Sequence, residues 1–238
     1  MRIAIIGYGK MGHMIEQIAL ERGHEIVGVI DPTLFIGDGS SVIGFDSPVF
    51  RSADVAIEFT TPSTAEQNIR AAWAQGVPVV SGSTGWNVDN LSPALSSREG
   101  DKTRVTIKDK DGKTMLIWSS NFSVGVNIVF ELNQLLADMM AKQPQYAPAL
   151  KEIHHIHKLD APSGTAKTLV EQIKEHCERL NGTNIAIESV REGEVPGTHT
   201  VTWDSPEDTI VLTHIAKGRR GFALGAVLAA EEIANIQH

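Results

Sequence analysis

The stretch Arg2-Ile3-Ala4-Ile5-Ile6-Gly7-Tyr8-Gly9-Lys10-Met11-Gly12 decides the fold of the chain. Its first five residues form an apolar run typical of a buried strand, and the last six follow the pattern G-x-G-x-x-G. Apolar residues then recur at helical spacing over positions 14–19. A strand, a glycine turn and a helix in this order predict the opening unit of a dinucleotide-binding α/β domain.

Each glycine of this turn has a separate task in the prediction. Gly7 permits the tight turn, Gly9 lets backbone amides approach a pyrophosphate, and Gly12 lets the helix pack closely on the strand. The free N–H groups at the helix start then favour an anion. A glycine-rich turn in some other α/β fold is the alternative, since a glycine triplet alone is a weak signal.

Strand and helix signals alternate after the turn, which implies a parallel sheet. We predict strands at 25–30, 54–59 and 77–81, and a helix that begins after Thr60 and runs to about Gly76. Asp31 closes the second strand, where its carboxylate would meet the adenosine ribose. Between Asp31 and Asp54 the sequence has glycines but no helical period, and we expect a loop.

The loop after the fourth predicted strand contains Gly82, Ser83 and Thr84. Ligands of a doubly wound sheet bind outside the carboxyl ends of its strands, so this loop is expected to lie near the nicotinamide. An ordinary turn is the competing interpretation.

The rest of the chain predicts a hairpin and then a second domain. Segments 103–108 and 113–118 flank a turn and are expected to pair. Helices at 126–140, from 165 to about 180, and at 222–236 accompany a polar strand at 151–158 and three antiparallel strands within 185–215. The predicted fold class is therefore α/β, with a Rossmann-like domain (1–122 and 217–238) and a smaller α+β domain (123–216) on an open antiparallel or mixed sheet. The free face or edge of that sheet suggests oligomerisation.

Composition narrows the possible environments and partners. The chain has 238 residues, of which 42% are hydrophobic, and a formal net charge of -8. It has no basic block and no apolar run of membrane-spanning length, so we expect neither a nucleic-acid partner nor a membrane. The lone Cys177 and the absence of a signal-like N-terminus favour the cytoplasm.

Residues 152–165 contain the highest concentration of potentially catalytic side chains in the sequence. His154, His155, His157 and Lys158 supply proton donors and cations within five positions. In a strand, His154 and Lys158 would share one face. Ser163 is a candidate N-cap of the following helix. At the start of that helix, Gly164 and Thr165 offer free backbone amides that could bind an anion. Cations beside a helix start suit a small carboxylic acid.

Three other interpretations of this stretch compete. A histidine is usually structural, although three histidines within four positions, followed by a lysine, are unusual for a core strand. His155 and His157 could hold a metal ion, although no further ligands stand at a recognisable spacing. The stretch could also be a solvated polar strand. We expect no metal.

At these residues the sequence resembles the dihydrodipicolinate reductase family. The run H-H-x-H-K-x-D-A-P-S-G-T-A at 154–166 is similar to that family's signature and is far more specific than the glycine triplet. The stretches 7–12, 121–127 and 221–227 agree with it, so the resemblance covers almost the whole chain.

The resemblance implies a role for each matching residue. His154 would be the proton donor and Lys158 a second catalytic cation. His155, Gly164 and Thr165 would bind substrate carboxylates. The implied cofactor-binding residues are Gly7, Tyr8, Gly9, Lys10, Met11, Gly12, Asp31, Gly82, Ser83, Thr84, Ser119, Ser120, Asn121 and Phe122.

The implied activity is reduction of the cyclic dicarboxylate 4-hydroxy-tetrahydrodipicolinate by NAD(P)H, in lysine and diaminopimelate biosynthesis, by a homotetramer. We expect NADH to be preferred over NADPH, because Pro32 follows Asp31 where some members carry an arginine. Two alternatives are another two-domain dehydrogenase of a small amino acid and a redox sensor that holds the dinucleotide without turnover.

Overall fold

The computed structural model describes residues 1–33, 42–94, 97–100 and 103–236. The chain forms two compact units. The first comprises Met1–Phe122 and Phe222–His238, and the second comprises Ser123–Gly221. In the part of the chain that the structure describes, no helix is both long enough and apolar enough to cross a membrane.

The first unit is built on one sheet of seven strands. Its elements in chain order are β1 (Arg2–Ile6), α1 (Lys10–Glu21), β2 (Glu25–Ile30), α2 (Pro48–Arg51), β3 (Val55–Glu58), α3 (Ala65–Ala74), β4 (Val79–Ser81), a 3-10 helix (Val88–Ala94), β5 (Ser97–Gly100), β6 (Arg104–Lys108) and β7 (Thr114–Ser119). The final helix of the chain, α6 (Arg220–Ile236), returns to this unit.

The strand order is β2-β1-β3-β4-β7-β6-β5, and the first five strands run parallel. The parallel sheet predicted from the alternating signals is confirmed. So is the hairpin, since β6 and β7 pair antiparallel. The strand that follows β1 in the chain, β2, lies next to β1 on one edge, and β3 lies next to β1 on the opposite edge. The carboxyl ends of β1 and β3 therefore form the switch point where such sheets bind ligands.

Apolar side chains cover both faces of this sheet, as a parallel sheet requires. Ile15 and Ile18 of α1 and Val227 of α6 belong to one buried cluster with Ile3 and Ile5. Ala4 and Ile6, on the opposite face of β1, belong to a second cluster with Ile69 of α3. Successive side chains of β1 thus point to opposite faces of the sheet and pack into two separate hydrophobic cores.

One prediction for the segment between Asp31 and Asp54 is wrong. The structure has the short helix α2 there, and its N-cap Ser47 accepts a hydrogen bond of 3.1 Å from the Val49 amide. A serine cap followed by Pro48 is an N-terminal signal that the search for apolar periodicity missed, because a one-turn helix has no period to detect. Residues 34–41 of the predicted loop lie outside the described residues.

The second unit is a four-stranded sheet with two helices. Its elements are α4 (Val124–Met140), β8 (Ala147–His154), α5 (Gly164–His176), a 3-10 helix (Glu178–Leu180), β9 (Ile187–Arg191), β10 (Thr198–Asp204) and β11 (Thr209–Ile215). Leu169 and Ile173 of α5, Phe130 of α4 and Trp203 of β10 share its buried core.

The sheet order is β11-β10-β8-β9. The three strands within 185–215 are not all antiparallel, because β9 pairs parallel with β8 and has no pairing with β10. The reason is α5, which lies between β8 and β9 in the chain and supplies the crossover that a parallel pair needs. The sheet is therefore mixed.

The strand predicted at 151–158 is displaced. β8 ends at His154, and Ile156 and His157 lie in a turn. The argument that His154 and Lys158 share a strand face is therefore wrong, since Lys158 lies beyond the strand.

Candidate active site

The glycine turn after β1 is shaped by close backbone contacts. Gly7 has φ 90°, and a Cβ there would lie 2.2 Å from the Phe59 carbonyl oxygen. A Cβ on Gly12 would lie 2.4 Å from the Gly7 oxygen, so α1 begins directly against the turn. Any side chain at these two positions would force β1, α1 and the end of β3 apart.

Gly9 differs from its two neighbours, because a Cβ added there meets nothing within 4 Å. Gly9 is the N-cap of α1, and the first turn of that helix has no acidic residue. The helix start therefore offers amides and open space to an anion. These residues fit the pyrophosphate of a dinucleotide.

Asp31 is bonded to this turn and to the loop that follows it. Its Oδ2 accepts from the Tyr8 amide at 2.7 Å, and its Oδ1 accepts from the Thr33 amide and hydroxyl at 2.8 and 2.6 Å. Burial alone would raise the pKa of Asp31, but the hydrogen bonds from Thr33 and Tyr8 outweigh it and lower the pKa below its ordinary value. The carboxylate is ionised at neutral pH.

The loop after β4 is held by a buried carboxylate that the sequence analysis missed. Glu58, at the end of β3, is fully buried and accepts from the Ser81 and Ser83 hydroxyls at 2.5 and 2.9 Å. It also accepts from the Thr60 amide at 3.0 Å. The sequence did contain a signal for this residue, since Glu58 is an acidic residue at the end of the apolar run of β3. Glu58 thereby ties the ends of β3 and β4 together beside the switch point.

The remaining predicted cofactor residues of this unit fall into exposed and buried groups. Thr84 and Ser120 are exposed, whereas Ser119 is buried and donates to the Thr103 carbonyl at 3.0 Å. Phe122 packs into the core against Phe59, with ring centroids 6.1 Å apart. Gly82 leaves no room for a side chain, since a Cβ would lie 2.1 Å from the Phe59 ring.

In the second unit, Glu152 is the centre of a buried polar group. Its side chain is fully buried on β8. Its Oε1 accepts from the Ser163 amide at 3.1 Å and from the Ser189 hydroxyl at 2.8 Å. Burial would raise the pKa of Glu152, but the hydrogen bonds from Ser163 and Ser189 and the charge of His154 lower it overall. Glu152 is therefore a carboxylate at neutral pH.

Two buried histidines flank Glu152. His154 Nδ1 lies 3.5 Å and His199 Nε2 lies 3.7 Å from Glu152 Oε2. The two imidazole rings meet edge to face with centroids 5.0 Å apart. His199 Nε2 is also 3.2 Å from the Ser163 hydroxyl. His199 was not predicted as a site residue, because only the antiparallel register that places it opposite Glu152 reveals it.

Burial lowers the pKa of both histidines, but nearby charges act on the two rings differently. Burial, reinforced by the charge of His154, lowers the pKa of His199 to about 4, so its ring is neutral at physiological pH. Burial also lowers the pKa of His154, but the Glu152 charge opposes this while Lys158 and Arg191 reinforce it. The protonation of His154 thus depends on the charges of Glu152, Lys158 and Arg191 as well as on burial.

Two cations border this group. Lys158 Nζ forms an ion pair of 2.8 Å with Asp160 Oδ1, and the Lys158 side chain is about a quarter exposed. Arg191 Nη2 lies 3.5 Å from Glu152 Oε1, and its Nε donates to the Lys158 carbonyl at 3.1 Å. The Lys158 charge therefore acts on His154 even though the two residues do not share a strand.

The predicted carboxylate-binding residues lie at the end of β8 and the start of α5. Ser163 is the N-cap of α5 as predicted, and its hydroxyl accepts from the Ala166 amide at 3.2 Å. The first turn of α5 has no acidic residue, and a Cβ on Gly164 would meet nothing within 4 Å. His155 is half-buried, and its ring lies 6.0 Å from that of His157.

A metal ion is the other chemistry to consider here. Among the described residues, Glu152, His154 and His199 offer donor atoms that all lie within 4.8 Å of one another. His155 and His157, the pair considered from the sequence, are not members of this group. The nearby charges of Lys158 and Arg191 repel a cation, and the hydrogen bonds to Glu152 already use its oxygens. The arrangement favours proton transfer.

Comparison with known proteins identifies the relatives of this chain. Family models described as dihydrodipicolinate reductase, N-terminus and C-terminus, match residues 1–122 and 125–238. The chain belongs to the dihydrodipicolinate reductase family. Within it, the 4-hydroxy-tetrahydrodipicolinate reductase of Christiangramia forsetii is 44% identical over 97% of this chain and 91% of its own length. That of Archaeoglobus fulgidus is 32% identical over 99% of this chain and 95% of its own length.

Solved structures agree on the fold. A dipicolinate-bound dihydrodipicolinate reductase from Paenisporosarcina sp. TG-14 matches with a TM-score of 0.74 and 22% identity, covering 98% of this chain and 94% of that one. Aspartate semialdehyde dehydrogenase II from Vibrio cholerae matches with a TM-score of 0.51 and 12% identity, covering 100% and 99% of the two chains. Both solved structures thus share the fold of this chain.

Proposed function

We propose that this chain reduces 4-hydroxy-tetrahydrodipicolinate to tetrahydrodipicolinate with NAD(P)H in lysine and diaminopimelate biosynthesis. The balanced reaction consumes the substrate, one reduced nucleotide and one proton, and it yields the reduced ring, the oxidised nucleotide and one water. The observation that carries the proposal is His154, a buried histidine that contacts a carboxylate, lies near two cations and belongs to a group that includes the start of α5. An acid and an anion-binding helix start suit a cyclic dicarboxylate.

The first unit is proposed to bind the nucleotide. The amides at the start of α1 and the open space at Gly9 would receive the pyrophosphate, with Tyr8, Lys10 and Met11 around it. Asp31 would accept hydrogen bonds from the adenosine ribose. The other residues proposed to lie along the nucleotide are Gly82, Ser83, Thr84, Ser119, Ser120, Asn121 and Phe122. When bound, the reduced nicotinamide supplies the hydride.

The second unit is proposed to bind the substrate and deliver the proton. Gly164 and Thr165 at the start of α5, together with His155, would hold the carboxylates. After the hydroxyl group at ring carbon four has left as water, hydride addition to that carbon of the conjugated imine pushes electrons towards the ring nitrogen, and the enamine that forms needs a proton to give the imine product. His154 would donate that proton from Nε2, and the Lys158 ammonium would offset the negative charge nearby.

Two substitutions test the catalytic assignment. His154→Gln and Lys158→Met should each lower kcat by about 10² to 10⁴-fold, the usual contribution of a positioned general acid, while nucleotide affinity stays unchanged. His157→Gln is the matched control, because His157 is exposed and its ion pair is with Glu194, which is itself exposed. Near-normal turnover in both variants would refute the assignment.

One assay addresses the alternatives of a different substrate and of a sensor. Freshly prepared 4-hydroxy-tetrahydrodipicolinate should cause stoichiometric oxidation of NADH or NADPH, also after treatment with a chelator. Aspartate semialdehyde or homoserine should cause none. Binding of NADH without substrate-dependent oxidation would leave the sensor as the better explanation.

We also propose that the protein is a homotetramer assembled through the second unit. Ile210, Val211 and Ile215 on the edge strand β11 are exposed, and Ile215 is 64% exposed. An unpaired edge strand with apolar side chains is usually covered by a partner. Sedimentation velocity at micromolar concentration should give a tetramer, and a monomer would contradict the proposal.

A further inference from the structure

The buried carboxylate of Glu152 lies next to His154, the proposed proton donor. Glu152 and His154 are two positions apart on β8, so their side chains leave the same face of the sheet. His154 Nδ1 lies 3.5 Å from Glu152 Oε2, whereas a Cβ on Gly197 would lie 3.2 Å from His154 Nε2. The two nitrogens of the ring therefore have different surroundings.

We propose that Glu152 is a positioning residue that keeps the Nδ1 proton of His154 and leaves Nε2 as the nitrogen that donates to the substrate. The inference rests on the proposed function, since it concerns the same proton donor. Donation from Nε2 leaves a neutral ring with its remaining proton on Nδ1, facing Glu152. No atom of Glu152 itself transfers the proton.

Glu152 is held firmly enough for this task. The Ser163 amide and the Ser189 hydroxyl donate to its Oε1 at 3.1 and 2.8 Å, and the same amide lies 3.2 Å from its Oε2. Its distance of 3.5 Å from Nδ1 exceeds a good hydrogen bond, but such contacts between catalytic groups are often long before the substrate binds. A fixed carboxylate selects one ring orientation and one tautomer of the histidine.

Other charges around His154 act on the same ring. Lys158 and Arg191 disfavour the imidazolium, whereas Asp160 and Glu152 favour it. His199 faces both Glu152 and His154, and burial keeps it neutral. Glu152 is the largest charge contribution in favour of the protonated ring, so its removal should be visible in the titration of His154.

The first experiment uses the unaltered protein. ¹⁵N-detected NMR of the imidazole nitrogens, with the His154 signals assigned by their loss in His154→Gln, should show the Nδ1–H tautomer in the neutral ring. Observation of the Nε2–H tautomer would overturn the inference. This measurement needs neither activity nor a variant of Glu152.

The second experiment compares Glu152→Gln with a matched control. An opposite charge within about 4–6 Å typically shifts a pKa by roughly 1 to 3 units, so Glu152→Gln should move the His154 titration down by about that amount. The alkaline limb of the kcat profile should move down by the same amount. Glu152→Asp should restore part of both shifts. Glu188→Gln removes an exposed carboxylate from β9 and should move neither.

These outcomes separate the two proposals. If Glu152→Gln is folded and His154 titrates as in the unaltered protein, the positioning role of Glu152 is wrong. If the titration shifts but His154→Gln keeps normal turnover, Glu152 does position His154 and the proton-donor assignment is the part that fails.

Discussion

The Tyr8 amide donates a hydrogen bond of 2.7 Å to Asp31 Oδ2 and thereby ties the glycine turn to the end of β2. Thr33 bonds to the other carboxylate oxygen with both its amide and its hydroxyl. A carboxylate has about four acceptor positions, and these three bonds leave one on Oδ2. That position suits a ribose hydroxyl but not a phosphate.

This relationship predicts that NADH is the better cofactor. The 2′-phosphate of NADPH would approach an ionised carboxylate, and like charges about 4 Å apart repel by roughly 1 kcal/mol in water and about 4 kcal/mol at an effective dielectric of 20. These energies correspond to about fivefold and about a thousandfold in affinity. The measurement is kcat/KM for each nucleotide at saturating substrate.

Two variants test the physical reason for that preference. Asp31→Asn should raise kcat/KM for NADPH relative to NADH, whereas Asp111→Asn, in the exposed turn between β6 and β7, should leave the ratio unchanged. Equal or better use of NADPH by the unaltered protein would contradict the prediction. Loss of NADPH activity in Lys10→Ala would then identify Lys10 as a ligand of the phosphate.

Removal of the Glu58 carboxylate is expected to lower the stability of the first unit. In Glu58→Ala the Ser81 and Ser83 hydroxyls lose their buried acceptor, and the Thr60 amide keeps only its hydrogen bond of 2.8 Å to Ser83 Oγ. An unsatisfied buried polar group costs about 1–3 kcal/mol, so a lower thermal midpoint and a weaker affinity for the nucleotide are expected together. Glu58→Gln keeps one acceptor oxygen and should fall between. Glu66→Ala, on the exposed side of α3, is the control, and a midpoint equal to that of Glu58→Ala would refute the role of the network.

The fold of the first unit was predictable because its signals are local. An apolar run, a glycine triplet and a periodic helix occur within residues 2–19, and local geometry makes each glycine necessary. The helix α2 was missed because one turn produces no period. The parallel position of β9 was missed because strand partners are a property of the whole sheet, and the sequence between 185 and 215 gives no record of which strand lies beside which.

The candidate site shows the same division between local and distant information. His154, Lys158 and Ser163 were found because they are close in sequence. His199 is opposite Glu152 in the pairing of β10 with β8, and Arg191 is beside His154 in the pairing of β9 with β8. These partners are distant in the chain, so only the register brings them to the site. Glu152 had a local signal, its spacing of two residues from His154, which becomes meaningful once both are known to be buried.

Gly197 provides a prediction about the space beside His154. Its φ is 151°, and a Cβ would lie 3.2 Å from Nε2 and 3.3 Å from Cδ2 of His154. In Gly197→Ala the His154 ring has to move by a few tenths of an ångström, and kcat should fall by about tenfold because a catalytic group tolerates little displacement. Gly193→Ala is the matched control, since Gly193 also has positive φ but a Cβ there meets nothing within 4 Å. If the two variants lose stability equally and keep equal kcat, Gly197 serves only the backbone.

His199 predicts how the stability of the protein depends on pH. Burial, together with the charge of His154, lowers its pKa to about 4 from an ordinary value of 6.5. Between these values the unfolded chain binds more protons than the folded one, so the free energy of unfolding rises with pH. The contribution of His199 is therefore fully present above pH 6.5 and is lost as the pH falls towards 4. A shift of this size corresponds to a free energy on the order of 3 kcal/mol.

Substitution of His199 should remove that dependence. In His199→Gln, the free energy of unfolding measured by denaturant titration between pH 4 and 8 should change much less over the interval from 6.5 to 4. The readout is the slope against pH, because loss of the contact with Ser163 shifts the whole curve without changing its slope. His157→Gln should reproduce the original slope, since His157 is exposed. Parallel curves for the His199 variant and the unaltered protein would show that the acid sensitivity originates elsewhere, and His154, whose pKa burial also lowers, would be the next residue to substitute.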